Sequence, residues 1–325
     1  LLTPQTVTEI EETAKIIVSE FQKFKKPVCV CFLGGKSVST GIKILQKKKI
    51  PTFEFPHEAV IAIDKMFQYQ DNLKKIATVS SAMYKKITLS LESYNAFNSI
   101  IQNEKKDKKK QLHFKDCYKF LLSYEIPFIE SVLASDRNDI KKAISHLSYP
   151  LVAKISSQEI FHKSDIGGVI YPIHDIESAK DAYQKIMKVA QEKAPSAIID
   201  GVVFQKMAEE GLEVIIGAKR DPQFGPVILF GFGGIYTEIF KDYSLRLAPV
   251  SKTEAHTMVQ ELKLYPILKG TRGKKGYNTE GVIDVINKLS QIMIDFPEIK
   301  EVDINPAMVF QDESNIIVID CRMII

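Results

Sequence analysis

The sequence predicts an α/β block of the doubly wound kind, followed by a larger α+β block with mixed or antiparallel sheets. Three observations predict it. Helical and strand-like patterns alternate over the first 75 residues. A lysine-rich stretch without clear periodicity follows. Beyond it, several strand-like runs succeed one another with no helix between them. A chain of 325 residues has enough sequence for a core in each of roughly two domains.

The first block opens with Thr6-x-x-Glu9, a capping-box pattern, after which Ile10, Ala14, Ile17, Val18 and Phe21 fall at helical spacing. The run PVCVCFL at 27–33 is continuously apolar and suits a strand buried on both faces. Two glycines end it. Val38, Ile42 and Leu45 then mark a helix closed by Lys47, Lys48 and Lys49, favourably placed at its negative end. IPTFEF at 50–55 offers a shorter strand, and Pro56 opens a helix carrying Ala59, Ile63 and Phe67. Residues 1–75 thus read αβαβα, a piece of a doubly wound parallel sheet. The piece is thin, because parallel strands normally have neighbours on both sides. From 76 to 111 Ser, Asn and Lys accumulate, ending in NEKKDKKK at 103–110. No aromatic residues interleave with these lysines, so the stretch reads as a solvated linker rather than a nucleic-acid or membrane patch.

The second block occupies 112–325. Strand-like runs lie at 151–155, 202–207, 212–219, 227–230, 301–304 and 316–320, with helices near 176–192 and 281–296. DPQFG at 221–225 reads as a hairpin connection.

Composition narrows the function classes. Apolar residues make up 45% and charged residues 26% of the chain, ordinary globular values that exclude disorder throughout. A net charge of +4 is too mild for a dedicated nucleic-acid binder. No run approaches the ~18 apolar residues of a membrane span, and no signal sequence opens the chain. Four cysteines (Cys29, Cys31, Cys117, Cys321) do not make a disulfide framework and point to a reducing, cytoplasmic setting. The first residue is Leu1 rather than Met, so a fragment of a longer chain is expected.

Three constellations can carry chemistry. Lys154 sits inside the apolar run LVAKI, either at a sheet edge with its head in water or aimed into a site, since burying a lone ammonium is costly. Eight residues on comes HKSDIGG at 162–168, where His162 is a surface-loop histidine or a site residue. Its glycines allow close backbone approach to phosphate. The second is FGFGGIY at 230–236 with Glu238, either a tight turn or a flap over a nucleotide with an acid near a metal. Arg246 alternates with Leu245 and Leu247, as a surface charge or a phosphate-facing guanidinium. The third is EVDINP at 301–306 with Asp320. Residues two apart on a strand share a face, so Glu301, Asp303 and Asn305 project together. A hairpin turning at Asp312–Glu313 places Asn305 directly opposite Asp320, with Cβ atoms ~5 Å apart. Two oxygen ligands at that separation suit one Mg2+, which completes its shell with phosphate and water. An edge strand with polar residues outward is the alternative.

Together these strings resemble one family, the ADP-forming acyl-CoA (acetyl-CoA) synthetases, relatives of succinyl-CoA synthetase. The second block resembles their ATP-grasp region through YPLVAKI at 149–155, FHKSDIGGV at 161–169, EVIIGAKRDPQFGP at 213–226, FGFGGIYTE at 230–238, RLAP at 246–249, YPILKGTRG at 265–273 and EVDINP at 301–306. Residues 1–75 resemble the C-terminal half of the flavodoxin-like CoA-ligase domain through LTPQ at 2–5, KPV at 26–28, FLGG at 32–35 and Ile50-Pro51. PHE at 56–58 stands where relatives tend to have Pro-Glu.

The resemblance implies an acid–thiol ligase (acetate–CoA ligase, ADP-forming) working through phosphohistidines. It implies that His162 shuttles phosphate and that Lys154 holds ATP phosphates, with Gly167 and Gly168 against them. Gln205 and Glu213 would border the nucleotide, and Arg246 would be a further phosphate contact. Asn305 and Asp320 would bind Mg2+, with Asp303 and Glu238 as supporting acids. The implied cofactors are ATP or ADP and Mg2+, with CoA and the acyl substrate bound by the missing N-terminal domains. The implied partners are CoA-ligase domains of the same longer chain or of a partner subunit, in an oligomer, with no nucleic acid and no membrane. This portion alone is expected to perform only the phosphohistidine half-reaction. The alternative is a nucleotide-sensing regulatory ATP-grasp module of a protein acetyltransferase-like fusion.

Overall fold

A computed structural model describes residues 1–21, 23, 26–78, 89–106, 110–160, 163–234, 241–270, 275–311 and 316–325. The chain divides into two compact units, Leu1–Met83 and Tyr84–Ile325. All four cysteines are free thiols. Among the described residues, no helix is long and apolar enough to cross a membrane.

The first unit has the expected order: α1 (Ile10–Phe21), β1 (Val30–Cys31), α2 (Ser39–Lys47), β2 (Thr52–Phe53) and α3 (Pro56–Thr78). β1 and β2 are parallel, with Val30 opposite Thr52. The N-terminus adds what the sequence did not announce: Leu2 pairs in parallel with Phe32, its N–H donating to Cys31 O at 2.8 Å. Ala14, Val30, Phe32, Val38, Leu45 and Ile50 form the core. So narrow a sheet cannot cover a 23-residue helix. Ala59 is buried, but Val60, Ile61, Met66 and Phe67 of α3 lie in solvent.

The second unit starts with a correction. The stretch read as a solvated linker contains α4 (Leu91–Lys106), whose Phe97 and Ile101 are buried in the main core. Phe97 meets Phe120 at a ring separation of 4.4 Å, and Tyr94 stacks on Phe296 at 5.0 Å. Lys105 and Lys106 of the lysine-rich run close the helix, where cations suit its negative end.

The rest of the unit runs α5 (Phe114–Ser123), β3 (Ser131–Ala134), α6 (Ile140–Ala143), β4 (Leu151–Ser156), β5 (Val169–Ile173), α7 (Ile176–Lys193), β6 (Gly201–Lys206), β7 (Leu212–Asp221), β8 (Gly225–Phe232) and β9 (Tyr243–Leu247). It continues with α8 (Lys252–Gln260), α9 (Tyr265–Lys269), α10 (Thr279–Asp295), β10 (Glu301–Val309), β11 (Ile317–Val318) and β12 (Cys321–Ile324). Two antiparallel sheets result. The smaller has the order β3-β6-β4-β5, and α7 covers it with Ala179, Ala182, Ile186 and Ala190. The larger has the order β11-β10-β7-β8-β9, with β12 also paired to β10. Its buried face, including Val302, Ile304, Val214, Ile216 and Ile228, packs with Val282, Ile286, Leu289 and Met293 of α10. Each sheet has its own apolar cluster.

Of the run at 316–320, read as one strand, only Ile317–Val318 is strand, and pairing resumes beyond it in Cys321–Ile324. Pro306 causes the break. Ile319 N–H donates to Pro306 O at 3.0 Å, but proline has no N–H to return the bond. Around that point the register is unbroken: Ala307 faces Val318 and Ile304 faces Cys321. Asn305 therefore stands opposite Asp320, as the hairpin arithmetic required, and Asn305 N–H donates to Asp320 O at 3.1 Å.

If α4 belongs to the folded unit, Ile101→Ala should cost about 2–5 kcal/mol in urea unfolding, the range for a fully buried aliphatic side chain. A loss under about 0.5 kcal/mol, typical of exposed positions, would return the segment to linker status.

Candidate functional site

A cleft of about 490 Å3 separates the two sheets of the second unit, lined among others by Lys154, Lys163, Asp165, Asp303, Asn305 and Asp320. Lys154 and Gln205 come from the small sheet, on adjacent antiparallel strands β4 and β6. Asp303, Asn305 and Asp320 come from the large one. Val302 and Ile304 are buried while Glu301, Asp303 and Asn305 are not, so the alternation read from the sequence holds.

One backbone carbonyl ties the two sides together. Ile319 O, left without a ladder donor by Pro306, accepts from Gln205 Nε2 at 2.9 Å and from Lys154 Nζ at 3.3 Å. Gln205 is 1% exposed, and its amide also donates to Ser131 Oγ at 2.9 Å. Burial pushes the Lys154 ammonium down to about 8, against the pull of Asp320 and with the push of Lys163. Lys154 is thus aimed into a site, not splayed at an edge.

Asp320 is held from two directions. Lys163 Nζ lies 2.6 and 2.9 Å from its two carboxylate oxygens, and Cys321 N–H donates to Oδ1 at 2.9 Å. Burial raises the Asp303 carboxyl above its ordinary value, with Arg322 opposing the shift. Arg322 pairs with Glu301 at 3.1 Å. Among the described residues, no group of three or more His, Cys, Asp or Glu forms a ready-made metal cage. The set Asp320, Asn305 and Asp303 nonetheless suits a hard cation that takes few protein oxygens and keeps water or phosphate for the rest of its shell.

The remaining sequence candidates separate. His162 and Glu238 lie outside the described residues, as do 271–274. Gly167 and Gly168 close a turn with their own N–H groups, which donate to Ser164 O and Lys163 O at 2.9 and 2.8 Å. A Cβ on Gly168 would sit 2.6 Å from Ile155 Cγ2, so this glycine is needed for packing on β4. Glu213 projects from the cleft side of β7 and cradles the glycine turn: Gly233 N–H donates to its carbonyl at 2.8 Å, and Gly234 adopts φ +57° against its carboxylate. Arg246 does not join the set. It pairs with Ile228, whose side chain is buried on the opposite face of the large sheet from Asp303, and its guanidinium grips Glu261 at 2.7 and 2.8 Å. The alternation with Leu245 and Leu247 was correct, but the two leucines occupy the exposed face.

Sequence reasoning missed Lys163, the Ile319 carbonyl and Ser131. Pro306 was the available signal for the carbonyl, since a proline inside a paired strand orphans the acceptor opposite it. It also missed a largely apolar hollow of about 160 Å3 just past Gln205, lined by Ile129, Met207, Phe310 and Ile317 together with Lys206 and Glu209.

Residues 103–325 match the ATP-grasp domain family. The ADP-forming acetate–CoA ligase I of Archaeoglobus fulgidus is 35% identical over 325 residues, which is all of this chain but 45% of that protein. The chain therefore spans about half the length of such a relative. The β subunit of the ADP-forming acetate–CoA ligase I of Pyrococcus furiosus is 43% identical over 210 residues, 65% of this chain and 90% of that subunit. Among solved structures, the dinucleotide-forming acetyl-coenzyme A synthetase 1 of Ca. Korarchaeum cryptofilum superposes with a TM-score of 0.60 at 33% identity, over 70% of this chain and 99% of that one. That structure contains coenzyme A and Mg-AMPPCP, with its phosphohistidine segment pointing towards the nucleotide binding site. The two-sheet cleft and these likenesses agree, and the chain belongs to the ATP-grasp family, among the ADP-forming acetyl-CoA synthetases.

Proposed function

We propose that the cleft binds Mg-ATP or Mg-ADP and that His162 carries phosphate between the nucleotide and a CoA-ligase half in the same longer chain or a partner subunit. The observation that carries this reading is the convergence of Lys154 with Asn305, Asp303 and Asp320 on one cleft. The phosphohistidine segment of the Korarchaeum enzyme supports it.

Each residue has a definable task. Lys154 neutralises charge on the phosphates, and the buried Gln205 keeps the two sheets in register while it does so. Glu213 borders the nucleotide beside the glycine turn. The hollow past Gln205 suits a base, because Ile129, Met207, Phe310 and Ile317 offer an apolar face while Lys206 and Glu209 border it with polar groups. Asn305 and Asp320 would hold Mg2+, with Asp303 in support, and the ion would supply charge neutralisation on the phosphates. A neutral imidazole is a competent nucleophile near pH 7. A bond forms from the His162 ring nitrogen to the γ-phosphorus as the bond to the β-phosphate oxygen breaks, and ADP leaves. Phosphoryl transfer of this kind asks the protein mainly for alignment and charge.

Incubation with γ-labelled ATP and Mg2+ should give an acid-labile, base-stable label on the chain, and no acyl-CoA without the ligase half. Equal labelling of His162→Ala and the parent would remove His162 from the mechanism.

The Lys154 ammonium gives a pH signature. In the free protein its charged form predominates below about pH 8 and is progressively lost above it. Mg-ATP affinity, measured by calorimetry, should be flat below pH 8 and fall above it by up to about tenfold per unit. Lys154→Met should bind more weakly and without that slope. Conformational stability should move the other way, rising between pH 8 and 10.5, where the unfolded state retains the proton that the folded state has lost. An affinity that stays level through pH 9.5 would show that Lys154 does not face the phosphates.

A further inference from the structure

The cleft contains one ion pair that nucleotide binding does not explain. Lys163 Nζ spans both carboxylate oxygens of Asp320, and each side chain is 24% exposed, so the pair is well shielded from water. Asp320 is also the carboxylate placed, with Asn305 opposite, to take a divalent cation. An ammonium on both oxygens and a dication on the same oxygens repel each other and compete for the same lone pairs. The two arrangements therefore disfavour each other.

The neighbours do not substitute for Lys163. The other ammonium facing Asp320, Lys154, is hydrogen-bonded to Ile319 O, and Arg322 pairs with Glu301. The segment bearing Lys163 is a compact turn: Lys163 O accepts from Gly168 N–H, Ser164 O accepts from Gly167 N–H, and Gly168 O accepts from Ile155 N–H at 2.8 Å on β4. The turn is therefore fastened at one end to the small sheet by backbone bonds. At the other end it reaches the large sheet through the Lys163 side chain.

We propose that Lys163 is a built-in counter-ion that stands in for the divalent cation at Asp320, so that cation loading displaces it and releases its contact with the large sheet. The inference rests on Asp320 being a cation ligand. While the cation is absent, the pair spares the cleft a shielded, bare carboxylate, which would be expensive. Once displaced, the ammonium becomes available to the phosphate oxygens that arrive with the nucleotide.

The test uses Mn2+ alone, without nucleotide, titrated calorimetrically into the full 325-residue chain at low ionic strength. A latch closed about nine-tenths of the time weakens apparent cation affinity about tenfold. Lys163→Met should therefore bind Mn2+ about tenfold tighter than the parent, Lys163→Arg should stay close to it, and Asp320→Asn should bind at least tenfold more weakly. A second measurement needs no variant: reductive methylation of Lys163 in the parent chain, followed by mass spectrometry, should be slow without metal and accelerate with Mn2+. If Lys163→Met binds no tighter while Asp320→Asn is weakened, the latch is wrong and the cation ligand stands. If methylation ignores Mn2+, the latch is equally wrong. If Asp320→Asn binds Mn2+ as the parent does, both readings fall.

Discussion

A missing N–H at Pro306 organises the second unit. In an antiparallel pair, residues 306 and 319 would exchange two backbone bonds, and only one can form. A buried carbonyl without a donor costs on the order of 1–3 kcal/mol, so the Ile319 oxygen has to be satisfied from elsewhere. The donors come from the other sheet, as Gln205 and Lys154. The same proline ends the ladder between β11 and β12, which leaves Asp320 outside regular pairing and its carboxylate in the cleft. Removing a single hydrogen thus links the sheets and opens the site.

The joint is polar because each sheet has a separate apolar core. Polar contacts across a cleft exchange partners more readily than interdigitated apolar side chains. Two donors on one carbonyl add redundancy, since a carbonyl oxygen has two lone pairs. Should a phosphate draw Lys154 away, Gln205 still satisfies Ile319. Lys154 makes the longer of the two bonds, and burial has already weakened its hold on a proton. A phosphate offers it a charged partner that the carbonyl cannot match.

What the sequence made legible was whatever depends on period two. The face shared by Asp303 and Asn305, and the pairing of Asn305 with Asp320, follow from strand alternation and a turn placed by its polar residues. Arg246 shows the limit of the same logic. Alternation sets which residues share a face but not which face meets the cleft, and here leucines that look like core residues are exposed while the arginine lies over the core side. The α4 helix was hidden for a different reason. Its terminal lysines resemble a disordered charge run, and Phe97 and Ile101 are its only fully sheltered anchors, too few for a visible stripe. Lys163 was in plain view in HKSDIGG but gave no signal, because its partner lies 157 residues away.

The first unit follows the opposite economy from the second. Its two-residue parallel strands bond through the backbone but bury little, and the N-terminal segment pairing at Phe32 widens the sheet only slightly. Val60, Ile61, Met66 and Phe67 on α3 are consequently exposed at 49–67%. Apolar residues scattered singly over a surface are ordinary, but four within eight positions of one helix are not. A doubly wound sheet covers such helices by adding strands beneath them, whereas the described sheet of this unit pairs only β1 with β2 and the bridge at Leu2. The second unit's sheets, helices and cleft all come from residues after 83, and 65% of this chain aligns with 90% of the Pyrococcus β subunit. The cleft and both of its sheets therefore belong to one compact unit with its own apolar cores.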